Sequence, residues 1–173
     1  IEIGVRCVVV AGWAVNDDGR AAVGIGWRAN KNLTIMPFYW FIRARNANSQ
    51  FRNEHRLNLR ATVRFPLAKF TGVHRSTYEY RIREPLNSWR YRALAGVERD
   101  IPKSVLPNAK WFINDEVFYD SGLGRFSRNR FSVGISKTLT KQLTVDVSYM
   151  RQNDGVSRPG DLNTLWAAWR IRL

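Results

Sequence analysis

One cysteine, Cys7, in 173 residues excludes an internal disulfide. Histidine is nearly as scarce. His55 and His74 lack carboxylates at ligand spacing, so no metal site and no other cofactor is expected. The chain has no G-x-S-x-G, no P-loop and no G-x-G-x-x-G in a βαβ setting, and Gly122-Leu123-Gly124 reads as a loop. No enzyme is expected. The longest apolar stretch, around Val8 to Val15, contains Gly12 and falls far short of the ~20 residues a transmembrane helix needs. No window shows helical periodicity, and no flexible linker divides the chain, so residues 1–173 read as a single domain. The start lacks a basic n-region, an apolar h-region and a cleavage site, so any secretory signal was removed or never present here; its absence decides nothing. Acidic residues are scarce too, with 14 against 28 basic ones and a net charge of +14.

The basic residues are mostly arginine, 22 against six lysines. Lys31, Lys69, Lys103 and Lys141 fall in turn-like stretches, whereas most arginines fall inside alternating runs. A guanidinium fork can hold carboxylate or phosphate bidentately in a partly dry place, where lysine is a point charge. The bias points to a structured charge network. From Glu54 to Phe65, Leu57, Leu59, Ala61, Val63 and Phe65 share one face of a strand, and Arg56, Asn58, Arg60, Thr62 and Arg64 the other. A polar lumen inside a membrane barrel gives such arginines somewhere to point, with the apolar face toward lipid.

Alternation bounded by Asn, Asp, Gly and Pro clusters predicts ten strands: 2–14, 20–29, 33–45, 53–66, 73–84, 88–100, 109–119, 128–139, 142–151 and 162–173. Several approach the ~9 to 11 residues of a tilted membrane-crossing strand. The third strand fits worst. Met36, Phe38, Trp40 and Ile42 point inward if Leu33, Ile35, Tyr39 and Phe41 point out. An internal repeat relates Val23-Gly24-Ile25, Lys31, Leu33-Thr34 and Tyr39 to Val133-Gly134-Ile135, Lys141, Leu143-Thr144 and Tyr149 at a constant offset of 110. It is either a duplicated hairpin or two independent arrivals at a good turn. Connections 30–32, 66–72, 101–108 and 140–142 fall at one rim, and 16–19, 46–52, 84–87, 120–127 and 152–160 at the other.

Local motifs point the same way. Glu54-His55-Arg56-Leu57, Trp89-Arg90-Tyr91-Arg92, Asn114-Asp115-Glu116-Val117-Phe118 and Asn129-Arg130, in this order, resemble a bacterial outer-membrane β-barrel family catalogued as domain of unknown function 2490. The resemblance covers roughly Ala21 to Leu173. It implies an all-β, antiparallel, up-and-down transmembrane β-barrel of about ten strands in a Gram-negative outer membrane, with a porin-like architecture and no assigned role. Leu165, Ala167, Trp169, Ile171 and Leu173 alternate as in the terminal assembly signal of such barrels, but those chains usually end in an aromatic residue. The first strand is the least family-like, which leaves room for upstream strands and a total of twelve.

The expected lumen set is Arg56, Arg60, Arg64, Arg75, Arg81, Arg83, Arg90, Arg92 and Arg130 with Glu79, Glu98 and Glu116. Side chains largely fill the interior of a barrel this small. The set is therefore either a salt-bridged structural plug or a narrow path for a small anionic solute or acidic ligand. Trp13, Trp27, Tyr39, Trp89, Tyr91, Trp111, Tyr119, Tyr149 and Trp169 are candidates for the aromatic belt at the membrane interface. Arg45, Arg52, Arg125 and Arg128, near the rims, are candidates to meet lipid phosphates. Outer-membrane lipid, lipopolysaccharide and other membrane subunits are the expected partners. A soluble basic β-protein binding nucleic acid is the competing class, but single-strand binders mix rings and basic groups in one groove, and this chain separates them. No nucleic acid is expected. A lipocalin-like barrel would reverse the polarity. An outer-membrane lipid hydrolase would have to use His74 and Ser76, which fall two apart on one strand face.

Overall fold

The computed structural model describes residues 5–13, 19–45, 50–156 and 160–171, without the side chains of 5–13, Arg20, Arg45, Arg170 and Ile171. Among them every regular element is a strand: β1 (Val5–Trp13), β2 (Gly19–Arg28), β3 (Leu33–Arg45), β4 (Phe51–Leu67), β5 (Phe70–Arg83), β6 (Ser88–Asp100), β7 (Ala109–Asp120), β8 (Arg125–Thr138), β9 (Leu143–Asp154) and β10 (Leu162–Ile171). They form one ten-stranded sheet in the order β1 to β10, each bonded to its sequence neighbours. The all-β, antiparallel expectation holds.

Compact packing groups the chain into two units. One takes Ile1–Thr62, Ser76–Arg92 and Tyr119–Arg125; the other takes Val63–Arg75, Ala93–Phe118 and Phe126–Leu173. In the first, the alternation of β2, β4, β5 and β6 exposes Val23, Ile25, Trp27, Leu57, Leu59, Tyr78, Tyr80, Ile82, Trp89 and Tyr91. Asn58, Thr77, Glu79, Arg81 and Ser88, on the opposite face, are buried. In the second, Phe65, Ile113, Phe131, Val133, Ile135, Val147 and Tyr149 are exposed, and Glu116, Ser136, Thr144, Gln152 and Asp154 are buried. Each unit hides its polar face and shows its apolar one.

The third strand keeps its sequence register. In the β2–β3 ladder Gly24 faces Phe38 and Ala22 faces Trp40. Phe38 therefore shares the polar face, with the Arg60 guanidinium 4.7 Å from its ring centroid, and Ile42 is buried. The ladder skips Ile25 and Gly26 opposite Met36 and Pro37, where Pro37 has no N–H to give.

The two repeated hairpins have the same turn. Leu33 O accepts from Ala29 N at 3.0 Å, and Leu143 O from Leu139 N at 2.9 Å. Asn30 Oδ1 accepts from the amides of Asn32 and Leu33, both at 2.9 Å. Thr140 Oγ1 does the same for Gln142 and Leu143 at 3.2 and 3.0 Å. Asn and Thr thus supply the same side-chain-to-backbone turn. Gly24 and Gly134 also match. A Cβ on either would lie 2.5 Å from the Cβ of the residue it faces, Phe38 or Ser148.

Several strand ends run further than expected. β4 and β5 are joined by Ala68 and Lys69 alone, with Ala68 left-handed at φ 51°. β7 runs to Asp120, β9 to Asp154, and β8 starts at Arg125. At two of these ends, Asp120 and Asp154, charged residues that read as loop are strand residues paired with arginines on other strands.

Candidate functional site

In the first unit the polar face gathers Glu54 and Arg56 from β4, Glu79, Arg81 and Arg83 from β5, Arg90 from β6 and Asp120 from the end of β7. Arg56 Nε donates to Glu54 at 3.0 Å, and its Nη1 lies 3.4 Å from Glu79 Oε1. Arg81 reaches Glu54 through Nε and through Nη2, the latter at 3.3 Å. Its Nη1 donates to Asp120 Oδ2 at 3.1 Å. Arg90 donates to the same oxygen from Nη2 at 2.8 Å and from Nε at 3.2 Å, and its Nη1 is 3.7 Å from Glu79. Asp120 Oδ1 accepts from the Gly122 amide at 3.0 Å. Glu79, Arg81 and Asp120 are only 2%, 6% and 3% exposed. Charges this dry persist only when each is held by several opposite groups.

Smaller groups occupy the second unit's polar face. Glu98 holds Lys110 at 2.8 Å and Arg64 at 3.5 Å. Arg75 Nη2 donates to Glu116 at 3.2 Å. Arg128 Nε donates to Asp154 at 2.7 Å, and Arg130 Nε to Gln152 at 2.8 Å. Both guanidiniums lie against Phe118, at 5.6 and 4.9 Å from its ring centroid, and Phe118 is 2% exposed. A guanidinium over a ring face gains cation–π attraction while its edge stays free for hydrogen bonds.

The expected lumen residues therefore fall into separate groups. Arg56, Glu79, Arg81 and Arg90 meet in one network. Arg64 with Glu98, Arg75 with Glu116, and Arg130 form others. Arg60 donates to Thr77 at 3.4 Å. Arg92 is half-buried in β6. Arg83, also half-buried, stands at the end of β5. Sequence reasoning missed Glu54, Lys110, Asp120, Arg128 and Asp154. Arg128, expected at a rim against lipid phosphate, is instead paired with a buried carboxylate. The signal was available for Glu54, two residues from Arg56 on the same face. Asp120 and Asp154 were hidden because the strands were ended one and three residues too early.

On the apolar face Tyr78, Trp89 and Tyr119 stack across β5, β6 and β7, with centroids 5.8 and 5.4 Å apart. Trp111 packs edge-on to Phe70 at 5.7 Å. Tyr39 bonds His55 Nδ1 at 2.6 Å, and Tyr149 donates to Asn163 at 2.6 Å. Trp27, Tyr91 and Trp169 are exposed, while the side chains of Trp13 and Arg45 lie outside the described residues. Arg52 and Arg125 are exposed. His74 and Ser76 share this face, and Ser76 Oγ is 2.8 Å from the Tyr91 hydroxyl.

The family model described as "Protein of unknown function (DUF2490)" matches residues 17–163. No curated protein matches the chain.

Proposed function

As the chain belongs to the DUF2490 family, whose description assigns no activity, we propose its role from its two faces: an integral bacterial outer-membrane β-barrel with a charge-filled lumen. The carrying observation is the inverted burial. Among the described residues eleven polar or charged side chains are buried against four hydrophobic ones, while Leu57, Leu59, Ile25 and Val147 are each about half exposed. Soluble monomers rarely expose contiguous apolar patches beyond a few hundred Å². In hydrocarbon the same face costs nothing, and the backbone stays satisfied because every strand is laddered.

Strands of 12 to 17 residues in β4 to β9 exceed the ~9 to 11 needed to cross. Their apolar middles span the bilayer, and the Tyr78–Trp89–Tyr119 stack sits at an interface. β1 closes on β10, directly for ten strands or through upstream strands for twelve. The arginine–carboxylate groups fill the lumen as a structural plug. Lipid and lipopolysaccharide surround the barrel, and Arg52 and Arg125 meet their headgroups. A second reading, a narrow anion path, is favoured by one feature: three arginines take up the three carboxylates of the first network, and Arg83 stands beside them as a further positive charge.

Folding the full chain into vesicles of brominated phosphatidylcholine tests the apolar face. Tryptophan emission should be strongly quenched relative to non-brominated vesicles, because Trp27, Trp89 and Trp169 stand on that face. Equal emission in both would overturn the proposal.

A further inference from the structure

The first network leaves two groups over. Glu54, Glu79 and Asp120 are shared by Arg56, Arg81 and Arg90. The fourth arginine, Arg83, is near enough to feel the charges of Glu54 and Asp120, but among the described residues its guanidinium makes no close ion pair and no hydrogen bond. It is half-buried, and its place in β5, two residues from Arg81 and next to exposed Ile82, puts it on the polar face. Glu84, the next residue, is exposed.

The other group is Ser88. Its side chain is 7% exposed, and its hydroxyl has no hydrogen-bond partner among the described residues. A buried hydroxyl without a partner is costly enough to need a reason. Ser88 begins β6 on the face of Arg90. A Cβ on Gly122 would lie 3.6 Å from Ser88 Cβ and 3.3 Å from Asp120 Oδ1, so Ser88 sits against the network. The Arg83 amide donates to Asn87 Oδ1 at 3.2 Å, which ties Arg83 to the residue before Ser88 in one hairpin. An unspent guanidinium fork and an unspent hydroxyl donor therefore flank one short hairpin on the polar face, beside the charge network.

We propose that this end of the polar face is an oxyanion site, in which Arg83 and Ser88 take a phosphate-class group supplied by a soluble phosphate or by a lipid headgroup. A guanidinium matches the paired oxygens of such a group bidentately, and a hydroxyl donor adds a third contact. The bound charge balances the surplus that the carboxylates leave. The site depends on the polar face alone, so its failure would leave the membrane proposal untouched.

Two arms test it on the full chain, folded in neutral maltoside micelles or, if it folds there, in buffer. In the first, inorganic phosphate is titrated by calorimetry against the wild type, Arg83→Gln, Arg83→Lys and Ser88→Ala. Saturable binding is expected in the wild type, weakened about tenfold or more by Arg83→Gln, less by Ser88→Ala, and partly restored by Arg83→Lys. In the second, phosphorus NMR follows vesicles of phosphatidylcholine containing phosphatidic acid. An Arg83-dependent shift of the phosphatidic acid signal, without phosphate binding in the first arm, assigns a headgroup; the reverse assigns a soluble ligand. Circular dichroism checks each fold, and if Arg83→Gln does not fold, Arg83→Lys and Ser88→Ala decide. No saturable binding in either arm, or binding indifferent to these substitutions, overturns the site.

Discussion

Asp120→Ala is the sharpest perturbation of the charge network. The wild-type carboxylate is 3% exposed and takes three hydrogen bonds on Oδ2, one from Arg81 at 3.1 Å and two from Arg90 at 3.2 and 2.8 Å. Without it, four arginines face two carboxylates, and the surplus of positive charge rises from one to two. Removing one partner of a buried pair costs about 3 to 5 kcal/mol, because the other charge stays buried and uncompensated. For a chain of this size each kcal/mol moves Tm by roughly 2 to 4 °C, so a fall of about 6 °C or more is expected. Urea unfolding in detergent, followed by tryptophan emission, reads the free energy. Arg64→Met is the control. Arg64 is 47% exposed at its side chain and 3.5 Å from Glu98, so its loss should cost less than about 1 kcal/mol. Arg90→Met combined with Asp120→Ala should recover part of the loss, with a coupling of about 0.5 to 3 kcal/mol. A cost below about 1 kcal/mol for Asp120→Ala would refute the view that this network is dry.

Val63→Arg, on the apolar face, should cost about 2 to 4 kcal/mol if it lies near the bilayer midplane, whereas Thr62→Arg should be far milder; equal losses in a folding titration would contradict the face assignment. Gly96→Ala should destabilise by about 1 to 3 kcal/mol, since a Cβ there would fall 2.0 Å from Asn114 Oδ1 and 2.6 Å from the Ile113 carbonyl oxygen; an unchanged denaturation midpoint would contradict that close approach. Arg83→Met should leave stability within about 1 kcal/mol of wild type, while Arg81→Met should cost about 3 kcal/mol or more, and similar losses would mean Arg83 has a structural partner. Cysteines placed singly along 163–169 in β10 should include one that cross-links to Cys7 within the same chain if β1 closes directly on β10; cross-links only between chains would contradict direct closure.

Much of the sheet was legible because two-residue alternation is a strong signal when both faces are demanding. Leu57, Leu59 and Phe65 on one side and Arg56, Asn58 and Arg60 on the other fix β4 without knowledge of its neighbours. The turn equivalence of Asn30 and Thr140 was not readable from residue type; it follows from both side-chain oxygens accepting the same pair of amides. β3 seemed to break the rule because Phe38 and Ile42 lie on the polar face. An aromatic ring beneath Arg60 suits an arginine-lined face, because it offers the guanidinium a cation–π contact. Strand ends were least legible. Asp120 and Asp154 read as loop because acidic residues usually mark turns, yet both are buried strand ends held by arginines on other strands. Which arginine meets which carboxylate depends on pairing across strands, and Arg75 with Glu116 spans 41 residues, a distance at which sequence pattern carries no information.

The most direct test of the membrane account is whether the purified full chain needs an amphiphile to fold. The account predicts β-rich circular dichroism and a heat-dependent shift in gel mobility in detergent or lipid, with aggregation in plain buffer. A monodisperse, β-rich, heat-cooperative protein in buffer without detergent would contradict it.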